Sequence, residues 1–233
     1  MTSALQAIVF DFDGVIADSE PLHLRAFQHT LAAEGIELTS ADYFSRYLGY
    51  DDVGLLQALT VDRAIPMSDR QMRHLVERKG THLQQMLHEG HVLFPGAAEF
   101  IRAAAAEVPI AIASGALKTE ILEIIGAAGI RDLFTTIVAS GDTTQSKPSP
   151  APYRLAFEQL REGTGRDLDP QRTVAIEDSR WGLESAHGAG LRCVGVTNSY
   201  PADQLPGAEL IVDGLGALTL AALHRLCTVT PRA

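Results

Sequence analysis

Asp11 and Asp13 stand two residues apart in the stretch AIVFDFDGVIADSE (7–20), directly after four apolar residues and directly before Gly14. Two like charges at the end of a buried run repel each other and lose hydration, so something must offset them. Three later stretches carry matching chemistry: Ser114 and Gly115 after PIAIA, Lys147 within SGDTTQSKPSP, and Glu177, Asp178 and Ser179 after TVAI. Each alone is commonplace. A DxD closes turns or caps helices, SG makes turns, a loop lysine sits in water, and ED caps a helix N-terminus against its dipole. Together they supply four carboxylates, a hydroxyl beside a glycine, and an ammonium. That set suits a hard divalent cation such as magnesium, which takes about six oxygens and usually keeps several waters beside one or two protein carboxylates.

The groups can meet only if the chain brings their segments to one place. Short runs rich in Val, Ile and Ala recur at 7–10, 109–113, 136–140, 173–177, 192–196 and 209–212. They lack polar alternation and read as strands buried on both faces of a parallel sheet. Helical patterns at 96–106, 117–128, 150–162, 179–188 and 215–226 alternate with them, so the predicted class is α/β, doubly wound. In such sheets ligands bind beyond the carboxyl ends of the strands. Asp11, Asp13, Ser114, Gly115, Lys147, Glu177 and Asp178 all follow strand ends.

One interval breaks the rhythm. From Ala17 to Glu89 the pattern is helical only. A helix starting at Pro21 ends near Gly35. A second, from Ser68 to His88, puts Met72, Leu75, Val76, Leu83, Met86 and Leu87 on one stripe. The sequence predicts a helical insert over 17–89, with joints near Ile16–Asp18 and Glu89–Pro95, inside a core of 1–16 and 90–233.

The 233 residues are 46% hydrophobic and 21% charged, ordinary for a soluble globular protein. A formal charge of −10 without a basic patch argues against nucleic acid. No apolar stretch reaches spanning length, which argues against a membrane. Cys193 and Cys227 form no CxxC and suggest neither a disulfide framework nor a zinc site; two free thiols suit the cytoplasm. A monomer is expected, with a dimer left open.

With DFDGVIADS (11–19), ASG (113–115), Lys147 in SKPSPAPY, and EDS (177–179) followed by Gly182 and AHGAG (186–190), the chain resembles the haloacid dehalogenase superfamily along essentially its whole length. The likeness is to the subgroup of small phosphatases and phosphoglucomutase-like enzymes. It implies a Rossmann-like core with an all-helical cap inserted after the first motif. It also implies that Asp11 is a nucleophile forming an aspartyl-phosphate, and that Asp13 is the general acid and then base. Magnesium would be held by Asp11, the Asp13 backbone carbonyl and Asp178, with Glu177 acting through water. Gly14 would allow the tight turn. Ser114 and the Gly115 amide would hold the transferring oxygens, and Lys147 would offset their charge and orient Asp11. Dehalogenases of this superfamily lack an acid at the place of Asp13, because halide departs without a proton, so Asp13 favours phosphoryl transfer. A signalling receiver domain fits less well, since Asp11 follows the first strand and has its own acid/base neighbour.

The cap supplies the specificity expectations. His23, one turn before Phe27, is either a packed helix histidine or a substrate contact. Lys79 falls on the apolar stripe of its helix and either snorkels or reaches substrate, as a lysine does in the related mutases. Those mutases also carry a basic residue shortly after the glycine matching Gly49, to grip a second phosphate. Here Asp51 and Asp52 stand instead, either repelling a second phosphate or capping a helix, and Arg46 could substitute only if its loop reoriented. The expected substrate is therefore a small metabolite with one phosphate, of the sugar or polyol class. A sugar-phosphate mutase is the enzymatic alternative, and a non-catalytic phosphometabolite-binding protein the remote one.

Overall fold

A computed structural model describes residues 4–48, 50–89 and 92–228, with 87–89 by their backbone alone. Gly49, Gly90 and His91, and the Leu87 side chain, therefore lie outside the described residues.

Among the described residues six strands form one parallel sheet: β1 (Ala7–Phe10), β2 (Ile110–Ala113), β3 (Phe134–Val138), β4 (Thr173–Glu177), β5 (Arg192–Val196) and β6 (Leu210–Val212). Their order is β3-β2-β1-β4-β5-β6. β1, β2, β4 and β5 are buried at every residue, as expected of unalternated apolar runs covered on both faces. The order reverses between β1 and β4, the switch point at which α/β sheets open a crevice at their carboxyl edge.

Helices α5 (Ala97–Glu107), α6 (Lys118–Ala127), α7 (Ala151–Thr164), α8 (Arg180–Gly188) and α9 (Leu220–Thr228) accompany the sheet. On one face, Tyr153, Ala156, Phe157 and Leu160 of α7 and Leu183 and Ala186 of α8 pack on Val9, Ala111 and Ala175. Ser179 caps α8, its hydroxyl accepting the Gly182 amide at 3.1 Å. Two elements differ from the sequence reading. β3 lies two residues earlier than 136–140, because Asp142 accepts the Ala139 amide at 3.0 Å and turns the chain out of the ladder. The segment read as a helix over 215–226 is a single turn, Leu215–Ala217, followed by α9.

The chain divides into two compact units, one holding everything up to Asp18 and from Val92, the other Ser19–His91. In the first, the segments on either side of the insertion run side by side: Ala17 pairs antiparallel with Leu93, and the Asp18 amide donates to the Val92 carbonyl at 2.7 Å. The inserted unit is helical: α1 (Glu20–Ala32), the turn α2 (Ser40–Asp42) continuing into a wider coil over Tyr43–Tyr47, α3 (Asp52–Asp62) and α4 (Asp69–Glu89). Leu24, Phe27 and Leu31 of α1, Leu55, Leu56 and Leu59 of α3, and Leu75 of α4 form its core.

Candidate active site

Strand register alone sets the first neighbours. Phe10 pairs with Ile176 on β4 and with Ile112 on β2. The Asp11 amide then donates to the Ile176 carbonyl at 2.9 Å, so Asp11 leaves the sheet beside Glu177, with Ser114 just past its level on the other side. Lys147 arrives from the loop before α7 and joins the two carboxylates, its Nζ 2.8 Å from Asp11 Oδ1 and 2.6 Å from Glu177 Oε1. Asp178 completes the group: carboxylate oxygens of Asp11, Glu177 and Asp178 lie within 4.8 Å of one another, and all three residues are buried.

Glu177 is wholly buried, and its carboxylate accepts on every side. Oε1 takes Lys147 and the Tyr153 hydroxyl, the latter at 2.8 Å. Oε2 takes the Asp178 amide at 3.2 Å and the Ser179 amide and hydroxyl at 3.4 and 3.2 Å. Two glycines make room for this packing. A Cβ at Gly182 would lie 1.9 Å from the Glu177 carboxylate, and one at Gly14, where φ is +76°, would lie 1.9 Å from Asp178 Oδ2.

The charges are unbalanced. Burial, then Glu177, push the Asp11 carboxyl well above its usual range, against the pull of Lys147. Burial and Glu177 likewise push Asp178 up to about 7, although a Ser199 hydrogen bond and Lys147 oppose them. For Lys147 burial works downward, but Asp11 and Glu177 outweigh it and hold the ammonium charged. Three buried carboxylates thus face one ammonium, and a divalent cation fits the deficit of charge.

The remaining sequence-predicted residues fall as follows. Asp13 is half-buried in the turn after β1, its backbone pairing with Ala17. Ser114 is buried, its hydroxyl accepting the Ala116 amide at 3.0 Å, and Gly115 beside it is exposed. His23 and Lys79 meet in the inserted unit. Lys79 Nζ is 2.9 Å from His23 Nδ1, 2.8 Å from Asp52 Oδ1 and 5.0 Å from the Phe27 ring centre. Asp51 caps α3, accepting the Gly54 amide at 2.6 Å, and Arg46 pairs with Asp62 at 2.6 Å. Three contributors escaped the sequence reading: Tyr153, whose ring also lies 4.9 Å from Lys147 Nζ; Ser199, bonded to Asp178; and Asn198, whose amide donates to the Gly14 carbonyl at 2.7 Å. Asn198 and Ser199 follow β5, so their place just beyond a strand end is the signal that marks them.

A family model for haloacid dehalogenase-like hydrolase matches residues 8–196. The chain is 32% identical over 232 residues to the protein CbbY of Cereibacter sphaeroides, covering 92% of this chain and 94% of that one. It is 28% identical over 203 residues to a phosphorylated carbohydrates phosphatase of Thermotoga maritima, covering 84% and 87%. A solved structure of mutant CbbY from Rhodobacter sphaeroides, in complex with xylulose-(1,5)bisphosphate, aligns with a TM-score of 0.79 at 30% identity, covering 94% of this chain and 99% of that one. With strand order, motifs and whole-length similarity in agreement, the chain belongs to the haloacid dehalogenase-like hydrolases, on their phosphatase side.

Proposed function

We propose that the protein is a magnesium-dependent phosphatase that hydrolyses a small monophosphorylated sugar or polyol through an aspartyl-phosphate on Asp11. The observation that carries this reading is the Lys147 ammonium bridging Asp11 and Glu177 with Asp178 alongside. Glu177 shares the Lys147 cation but spends its oxygens on hydrogen bonds to Tyr153, Ser179 and the backbone, which leaves Asp11, directly beyond β1, as the carboxylate that Lys147 aims. Its oxygen attacks phosphorus, and the alcohol oxygen leaves with a proton from Asp13. Asp13 then takes a proton from the water that cleaves the acyl phosphate. Ser114 and the Gly115 amide receive the transferring oxygens, while Lys147 offsets their charge. Glu177, saturated by hydrogen bonds, fixes Lys147. Asp11, Asp178 and the Asp13 carbonyl are the residues that would hold magnesium, which would neutralise and align the phosphate and the attacking carboxylate.

The preference for one phosphate rests on the inserted unit. Arg46, the cation nearest in sequence to Gly49, is engaged by Asp62, Asp51 serves as a helix cap, and Asp52 pairs with Lys79. A mutase of the same fold must grip a bisphosphate intermediate. Free thiols at Cys193 and Cys227 accord with a cytoplasmic enzyme.

The test is inorganic phosphate release from a panel of sugar and polyol phosphates, with magnesium and with chelator, for the wild type and Asp11→Asn. Release that requires magnesium and disappears in Asp11→Asn is expected. Isomer formation outrunning release once a sugar bisphosphate is added would favour the mutase. Unchanged release by Asp11→Asn would remove the nucleophile.

A further inference from the structure

The sheet unit carries a concavity of about 430 Å³ that none of the roles above uses, lined by Arg180, Trp181, Tyr200, Asp203, Gln204 and Pro206. That volume lies within the range of small-ligand sites. Its walls continue the active-site segments. Trp181 follows the Glu177–Ser179 motif into α8, and Tyr200 follows Ser199, the partner of Asp178. The Trp181 and Tyr200 rings stand at 72° with centroids 6.2 Å apart. The Arg180 guanidinium lies 4.4 Å from the indole centre. Trp181 is 42% exposed, so a large ring stands partly outside the core, against Tyr200 and Arg180.

Two rings near a right angle make a corner. A third flat ring entering it lies face-on to one wall and edge-on to the other, the two arrangements that aromatic pairs prefer. An aliphatic ligand would gain only buried area. Asp203 and Gln204 add a carboxylate acceptor and an amide, groups that read the polar edge of a heterocycle. Trp, Tyr and Arg are also common anchors of protein interfaces, but the concave corner suits a ring better than a flat partner surface. We infer that this corner is a binding site for a planar nitrogen heterocycle of the nucleobase type. The ring could belong to the leaving group of a phosphorylated substrate or to a free nucleoside acting as an effector. The substrate source rests on the phosphatase reading, whereas binding itself does not, since fluorescence measures it without turnover.

Trp181 is the only tryptophan in the chain, so intrinsic tryptophan fluorescence reports on this corner alone. Uridine and adenosine should quench it saturably, and ribitol and glucose should not. Tyr200→Ala should weaken the response about fivefold or more, the effect of losing one stacking surface. Tyr200→Phe, which keeps the ring, should retain it. Two kinetic outcomes separate the sources, each consistent with the site. If the ring is part of the substrate, Tyr200→Ala lowers kcat/KM for a nucleoside 5′-monophosphate but not for ribose 5-phosphate. If it is a free effector, both rates hold while the fluorescence response is lost. The inference is overturned by no saturable change with either nucleoside, by an equal change with ribitol or glucose, or by undiminished affinity in a Tyr200→Ala protein with unchanged melting. A fluorescence change that follows protein concentration rather than nucleoside would overturn it in favour of a protein contact.

Discussion

The Glu177 carboxylate fills the space that a side chain at Gly182 would occupy: a Cβ there would lie 1.9 Å from its Cδ and Oε1 and 2.0 Å from Oε2. Such a neighbour gives way easily only if it is a loose side-chain end. Glu177 is not, because Lys147, Tyr153, Ser179 and two backbone amides hold it. Gly182→Ala should therefore displace Glu177 and, with it, the ammonium that orients Asp11. Phosphate release should fall about 100-fold, the scale of an ångström of misplacement. Overpacking should cost about 1–3 kcal/mol of stability. Gly126→Ala, inside α6 with open space around the new methyl, should leave the rate unchanged and raise melting slightly through helix propensity, and an equal loss at both positions would refute the steric argument.

Lys147→Met keeps an unbranched apolar stem, one atom shorter, and deletes the charge. Asp11 and Glu177 are then buried without their cation, and breaking a buried pair on one side costs about 3–5 kcal/mol. Lys147 keeps 15% of its side chain exposed, so the lower end is expected. The deficit should be larger at pH 8 than at pH 5, because the raised Asp11 carboxyl can take up a proton at the lower pH. Denaturant unfolding of both proteins at the two pH values checks this, and equal deficits would count against it.

The sheet and most of the site were legible because both are written in local pattern. Unalternated runs mark buried strands, and polar residues just beyond them mark the edge where Asp11, Ser114 and Glu177 gather. β3 read two residues late because it is an edge strand: Phe134 and Thr135 are half-exposed or exposed and look like loop, although Phe134 packs edge-on to Phe10. Helix α3 was not singled out, since a cap such as Asp51 looks the same in sequence as an acid facing a ligand until its Gly54 partner is known. Tyr153 was invisible for another reason. Its hydroxyl meets Glu177 across 24 positions of sequence, and an aromatic on a helix stripe gives no sign of a polar task.

Asp178 gives a pH dependence with a definite sign. Its carboxyl is pushed up to about 7 from an ordinary value of 3.8, chiefly by burial. Across that window the folded state holds a proton that the unfolded state releases, so stability falls as pH rises from about 4 to 7. A divalent cation bound beside Asp178 would replace the proton. The rise in melting temperature on adding magnesium, measured against chelator, should be greater at pH 8 than at pH 5. The reverse order would mean that Asp178 does not help to bind the ion.

In the inserted unit, Lys79 is only 2% exposed and its ammonium is held by Asp52 at 2.8 Å. Lys79→Met preserves the buried stem and removes the charge, and a cycle with Asp52→Asn should show about 1 kcal/mol or more of coupling in unfolding. Stability alone cannot separate packing from recognition, so kinetics must. Binding energy from the non-reacting part of a substrate is spent at the reacting centre, and a small aryl phosphate lacks that part. If Lys79 contacts substrate, Lys79→Met lowers kcat/KM for a sugar phosphate well beyond its effect on p-nitrophenyl phosphate. Equal losses on the two substrates would confine Lys79 to holding α1, α3 and α4 together through His23, Phe27 and Asp52.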